Sequence, residues 1–129
     1  MTKRIEVSLS DLGVRVLEDG IEVRHISDCS IGREGHRTPI IHQGAISLSK
    51  RDRMHHSSLY NGAAMPFALF FEQDLACAFH QGPTSAPSHG CIHLNAIDAE
   101  WLFDWAGRDP IELEIMGPYP VSPVRQATP

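Results

Sequence analysis

Phe79-His80-Gln81-Gly82-Pro83-Thr84-Ser85-Ala86-Pro87-Ser88-His89-Gly90-Cys91-Ile92-His93-Leu94 places a cysteine eleven residues after a histidine, with a second histidine two before it and a third two after. Apolar residues bracket the stretch, and glycine, proline and serine fill its middle. Such a pattern presents a thiol on a loop that flanking strands hold still. A free thiol titrates near pH ~8.5, so a nearby imidazole that takes its proton is what turns it into a nucleophile at neutral pH. His80 ends one apolar run and Cys91 begins the next element, which makes them neighbours across the mouth of a sheet. No Asp or Asn adjoins His80 to orient its ring, so a main-chain carbonyl in Gln81-Gly82 is the candidate. Gly90 lets a substrate carbonyl approach closely, and the N–H groups of Gly90 and Cys91 are candidate oxyanion donors.

The same residues admit two other readings. His89, Cys91 and His93 alternate with period two and share one face of an extended segment, so with His80 they make a possible four-ligand zinc module. Against this, strand-borne zinc sites draw their ligands from two separated pairs, and Ser88 and Gly90 have no ligand role. The third reading is a buried structural cysteine with incidental histidines.

The rest of the chain narrows the setting. Its 129 residues suit one domain with a core that needs no metal or disulfide staple. A formal net charge of −5, with two lysines against nine arginines and no basic run, argues against nucleic acid or an anionic membrane as partner. Three cysteines, Cys29, Cys77 and Cys91, do not make a disulfide framework. Cys29 and Cys77 lie in apolar, strand-like surroundings and read as small buried hydrophobes, with a bridge between them as the alternative. The opening Met1-Thr2-Lys3-Arg4-Ile5-Glu6 has no apolar leader core, and no run approaches the roughly 18 apolar residues of a membrane span. The chain therefore reads as cytoplasmic when made, or exported by a leaderless route, or lacking its leader.

Arg4 to Leu9 alternates, with Ile5, Val7 and Leu9 on one face, and Val14 and Val16 repeat the pattern. Asp19-Gly20 marks a tight hairpin into Ile21 and Val23, with Glu22 and Arg24 outward, and this third run is expected to end at Cys29-Ser30-Ile31-Gly32. Gly32 to Thr38 is a loop and Ala45 to Ser49 a short strand; polar Lys50 to Gly62 reads as a lid or binding loop. Met65-Pro66-Phe67 leads into a buried strand, turned by Glu72-Gln73-Asp74 into Leu75 to Phe79. One helix follows the cysteine: Asn95 caps it, Asp98 falls in its first turn, Ile97, Trp101, Leu102 and Trp105 share a face, and Gly107 ends it. The two tryptophans read as core packing. Ile111, Leu113 and Ile115 form a closing strand. The division expected is a mostly β domain over residues 1–116 and a proline-rich tail, extended or disordered, over 117–129.

Ser88-His89-Gly90-Cys91-Ile92-His93-Leu94 resembles the signature of the YkuD-type L,D-transpeptidases, in which a histidine precedes a Ser/Thr-His-Gly-Cys run. The Asp19-Gly20 turn, Ser30-Ile31-Gly32, Thr38-Pro39, Met65-Pro66-Phe67, His80 and Asn95 with its helix fall in the family's order. The likeness covers about residues 4 to 116. It implies a β-sandwich-like catalytic domain with one main helix after the motif, needing no cofactor and acting in the cell envelope on peptidoglycan stem peptides. Cys91 would attack the carbonyl between meso-diaminopimelate and a terminal D-residue, with His80 as base and His89, Gly90 and Cys91 around the oxyanion. Ser88, His93, Asn95 and Met65 would meet substrate. An amine acceptor gives transpeptidation, a D-amino acid gives exchange, and water gives L,D-carboxypeptidase action. Two biologies suit such a chain: a housekeeping envelope enzyme, or a secreted effector that damages a rival's wall.

This sequence departs from the pattern in three places. His93 stands where arginine is frequent, so His93→Arg is expected to be tolerated. The His80–Ser88 interval is short, and the glycine common after Thr-Pro is Ile41 here or is displaced to Gly44. His55, His56, Arg51 and Arg53 read as solvated side chains, the arginines alternatively as carboxylate contacts of a lid. Tyr60 and Asn61 are open, and His25, His36 and His42 carry no argument.

Overall fold

The computed structural model describes residues 1–58 and 61–125, so Leu59, Tyr60 and residues 126–129 lie outside the description. The described residues form nine strands and one helix: β1 Lys3–Ser8, β2 Gly13–Glu18, β3 Ile21–Ile26, β4 Cys29–Ser30, β5 Ile41–His56, β6 Ala64–Phe71, β7 Asp74–Gln81, β8 Ile92–Leu94, α1 Ala96–Ala106 and β9 Ile111–Met116. The strands run in the order β3-β2-β1-β9-β5-β6-β7-β8-β4.

The alternation of β1 and β2 buries Ile5, Val7, Leu9, Val14 and Val16 in one core. Asp19 and Gly20 both take positive φ, the conformation that turns a two-residue hairpin. β9 pairs parallel with β1, Ile5 opposite Leu113 and Val7 opposite Ile115. The same core takes Phe71 and Phe79 from β6 and β7, Ile92 and Leu94 from β8, and Ala99, Leu102 and Ala106 from α1. Both halves of the sheet thus contribute to one main apolar interior, the sandwich-like arrangement expected, and a smaller cluster of Met65, Ala68, Phe70 and Ala78 lies apart from it.

β5 joins the halves. Its Ile41–Ala45 part pairs with β9, and its Ile46–His56 part pairs with β6. Between Ile46 and Arg51 the register slips, and the Lys50 N–H and Arg51 Nε close the bulge on Ser47. The expected lid over 50–62 is therefore corrected: Lys50 to His56 is strand, its outer side chains polar because they face solvent. His55 packs edge-on to Phe70 with ring centroids 4.8 Å apart. Arg51 donates to the carbonyls of Ala106, Gly107 and Asp109, closing the C-terminal end of α1. Arg53 pairs with Asp104 at 3.0 Å. Neither arginine is a lid contact.

Three further expectations change. β3 is an edge strand that ends at Ile26, with Ile21 and Val23 exposed. Arg24 instead turns to Asp98 and Trp101 of α1. Cys29–Ser30 leaves that run and pairs with β8 across the molecule. α1 has the predicted ends, Asn95 Oδ1 accepting from the Asp98 N–H at 2.8 Å and the Gly107 N–H donating to Phe103 O. Its buried face, however, is Ala99, Leu102 and Ala106, while Ile97 is 77% exposed. Small alanines let the helix seat closely, and Trp101 and Trp105 stack at the margin, Trp105 Nε1 donating to Glu18. Beyond β9 the chain stays attached: Pro123 O accepts from the Ile31 N–H, Val124 bridges to Ser30, and Arg125 donates to Asp11, Leu12 and Ser27 carbonyls.

Candidate active site

β7 and β8 lie side by side in parallel, with Phe79 opposite Ile92 and His80 opposite His93. Phe79 and Ile92 point into the main core. Period-two alternation therefore turns Ala78, His80 and His93 to the other face, where Cys91 packs on Met65, Ala68, Phe70 and Ala78. His80 and Cys91 open on one cleft of about 370 Å³, which Met65, Ser88, His89 and His93 also line. A hollow of about 520 Å³ bounded by Lys3, Ile46 and Glu112 holds neither thiol nor imidazole.

His80 is 6% exposed, and its Nδ1 lies 2.8 Å from the Gln81 carbonyl oxygen. Gln81 thus supplies the orienting carbonyl, and Gly82 does not; its N–H donates to Leu94 O. Burial drives the His80 pKa down to about 4, against the upward pull of the Gln81 carbonyl. The imidazole is neutral at pH 7, with Nδ1–H donated and Nε2 left to accept a proton. Burial also pushes the Cys91 thiol above its ordinary value, partly offset by a backbone hydrogen bond from Ala78. At neutral pH Cys91 is therefore a thiol and His80 a neutral imidazole.

The loop before the cysteine is held from within. Ser88 is 3% exposed; its hydroxyl donates to Cys91 O and accepts from the Gly90 N–H. Ser88, expected to meet substrate, lines the cleft and is at the same time a buried clasp of the loop. The Gly90 N–H, expected as an oxyanion donor, is taken by that clasp, which leaves the Cys91 N–H. Gly90 has φ +122°, which L side chains rarely adopt, and a Cβ there would stand 3.2 Å from Cys77 Sγ. Asn95 is also corrected. Its side chain caps α1 and donates to Asp28 and Asp98, so it is structural. His89 is exposed at the rim, its ring edge-on to His36 at 5.2 Å. His93 is half-buried, with Nδ1 2.8 Å from Pro83 O and its ring 4.9 Å from that of His80.

The four residues of the zinc alternative share the cleft without being placed as a ligand set. Among the described residues, no three of His, Cys, Asp and Glu are placed to hold a metal ion. His80 and His93 each spend Nδ1 on a carbonyl. All three cysteines are free, Cys29 and Cys77 buried with thiols raised to about 11 and about 12, chiefly by desolvation. Sequence reasoning missed Thr38 and Tyr119. Thr38 Oγ1 donates to the Gly90 carbonyl, and Tyr119 Oη accepts from the Thr38 N–H. The one local signal was Pro39, which holds the preceding Thr38 extended.

A thiol just before β8 and a buried neutral imidazole on β7 thus open on one cleft. The L,D-transpeptidase catalytic domain model, YkuD, matches residues 2–121, and the chain belongs to that family. Among solved structures, an L,D-transpeptidase from Stackebrandtia nassauensis superposes with TM-score 0.79 at 21% identity, over 93% of this chain and 58% of that one. Mycobacterium tuberculosis L,D-transpeptidase 1 gives 0.68 at 24% identity, over 89% and 62%. The Xylanimonas cellulosilytica L,D-transpeptidase gives 0.71 at 24%, over 89% and 60%. At these identities the likeness establishes the fold, and the chain spans about three-fifths of the length of each. No curated protein matches it.

Proposed function

We propose that Cys91 carries an acyl group taken from a peptidoglycan stem peptide at an L-to-D bond, meso-diaminopimelate–D-Ala, and passes it to an amine, a D-amino acid or water. The observation that supports this best is the neutral His80, fixed by Gln81 O and opening on the cleft that holds Cys91. In the acylation step the thiol proton passes to His80 Nε2, the Sγ–C bond forms, and the carbonyl electron pair moves onto oxygen. When that pair returns, the C–N bond breaks. His80 gives its proton to the departing D-residue amine, and a thioester remains on Cys91. The acceptor's nucleophile then repeats the sequence, with His80 again taking its proton. The site so read belongs in the cell envelope. Among the described residues no helix is long and apolar enough to cross a membrane.

The test is incubation with tetrapeptide- and pentapeptide-bearing muropeptides, with mass spectrometry of products and protein. The expected result is a changed stem peptide and a Cys91-bound acyl group, both absent from Cys91→Ala. Full activity in Cys91→Ala would end the mechanism. The product distinguishes cross-linking, exchange and hydrolysis.

A further inference from the structure

Three hydrogen bonds close a ring of Gly32, Thr38 and Tyr119, and a fourth ties that ring to the peptide that precedes the nucleophile. Thr38 is 2% exposed, far from any solvent that could serve its polar groups. Its hydroxyl donates to the Gly90 carbonyl at 2.9 Å and accepts from the Gly32 N–H at 3.0 Å. The Thr38 N–H donates to Tyr119 Oη at 3.1 Å, and the Tyr119 hydroxyl donates to the Gly32 carbonyl. Arg37 lies over the Tyr119 ring at 4.6 Å, and Gly32 bridges to Ser88, so the ring is tied into the loop on both sides.

The Gly90–Cys91 peptide is planar and trans, so its C=O and N–H point in opposite directions. Thr38 draws the C=O into the interior and thereby aims the Cys91 N–H outward. Gly90 has no side chain to hold this peptide, and its φ of +122° lies where only glycine rotates freely. The Gly90 N–H is already spent on Ser88. The one donor of this peptide pair that remains for a developing oxyanion therefore depends on an anchor outside the loop.

We propose that Thr38 is a positioning residue that aims the Cys91 N–H at the oxyanion, and that Tyr119, beyond the last strand, holds Thr38 in place. This rests on Cys91 reacting through a tetrahedral adduct, in which Sγ bonds to carbon and the carbonyl pair moves to oxygen. The C-terminal segment is then part of the catalytic scaffold.

Two thiol reactions separate positioning from general damage. Acylation by p-nitrophenyl acetate passes through an oxyanion and expels p-nitrophenolate. Alkylation by iodoacetamide displaces iodide from carbon and places no charge on a carbonyl oxygen. In Thr38→Val, acylation should fall about 10²-fold while alkylation stays within about twofold of wild type. Thr38→Ser, which keeps the hydroxyl, should recover to within about threefold, and Tyr119→Phe should lose about tenfold in acylation alone. Unchanged acylation in Thr38→Val, or acylation and alkylation falling by one factor, overturns the proposal. Should valine prevent folding, Tyr119→Phe decides by the same ratio. A wild-type protein acylated by the ester but inert to stem peptides would sink the substrate assigned above and leave this ratio to be judged on its own.

Discussion

His80 Nδ1 hydrogen-bonds the carbonyl oxygen of Gln81, its own successor in the chain, at 2.8 Å. A carboxylate in that place would stabilise the imidazolium. A carbonyl fixes the same tautomer while leaving the ring neutral in its buried seat. His80 is thus oriented by the strand that carries it, which explains how a site with no Asp or Asn beside the histidine has an oriented imidazole.

Acylation of Cys91 should therefore stay constant as pH falls below neutrality and drop only near pH 4, where the His80 imidazolium forms. Single-turnover acylation by stem peptide, followed from pH 8 to pH ~4, checks this. An acid limb near the ordinary histidine value of 6.5 would mean that His80 is not buried and neutral in the working enzyme. Alkylation by iodoacetamide should climb with pH past the usual thiol range, because burial raises the Cys91 thiol.

The same burial predicts acid destabilisation. His80 titrates near 4 when folded and near 6.5 when unfolded, so between those values the unfolded chain binds more protons. Stability is complete above about pH 6.5 and declines as pH falls toward 4. His93, also lowered chiefly by desolvation, adds in the same direction. The urea midpoint should fall across this window, and His80→Gln should flatten the slope. A midpoint flat in wild type would contradict the burial of both rings.

What could be read in the sequence was what short-range patterning determines. Ile5, Val7 and Leu9 alternate because a strand alternates, Asp19-Gly20 turns because both residues accept positive φ, and Asn95 and Gly107 mark the ends of α1. His80 and Cys91 were singled out because a thiol nucleophile needs a base, and the fold brings both to one cleft. The misreadings lie where distant partners decide. Arg51 to His56 looked like a loop because its polar side chains face outward, and its strand character comes from pairing with β6. The α1 face was only partly placed: Leu102 is buried and Trp101 and Trp105 pack against the core, but Ile97 is exposed and the small Ala99 and Ala106 fill the centre of the face. Thr38 and Tyr119 meet across 81 positions, a relation no local pattern carries.

Arg51 offers a test of that rereading. Its guanidinium reaches three carbonyls at the end of α1, bonds of 2.8–3.3 Å that satisfy acceptors the helix leaves open. Arg51→Ala should lower unfolding free energy by about 1–3 kcal/mol in urea titration. Arg53→Ala, which breaks an exposed pair with Asp104, should cost less than about 1 kcal/mol. Neither change should alter Cys91 acylation at temperatures where the protein is folded. Equal costs for the two would return Arg51 to the solvated surface.

His93 is where the contacts in the structure argue for a cost that the family resemblance did not imply. Its ring sits between the base and the loop: Nδ1 is 2.8 Å from Pro83 O and 3.3 Å from Ser30 Oγ, and the ring meets His80 edge-on at 4.9 Å. A Cβ on Gly82 would fall 2.8 Å from that ring, so the seat is closed on the loop side. Arginine could not reproduce the Nδ1 position held by Pro83 O, and its fixed charge beside His80 would disfavour protonation of that ring. His93→Arg should lower kcat for acylation about tenfold with little change in KM. His93→Asn, whose amide nitrogen can stand where Nδ1 stood and donate to Pro83 O, should keep activity within about threefold. Wild-type kcat in His93→Arg would show that the seat is dispensable. A rise in KM alone would make His93 a substrate contact and not a support for His80.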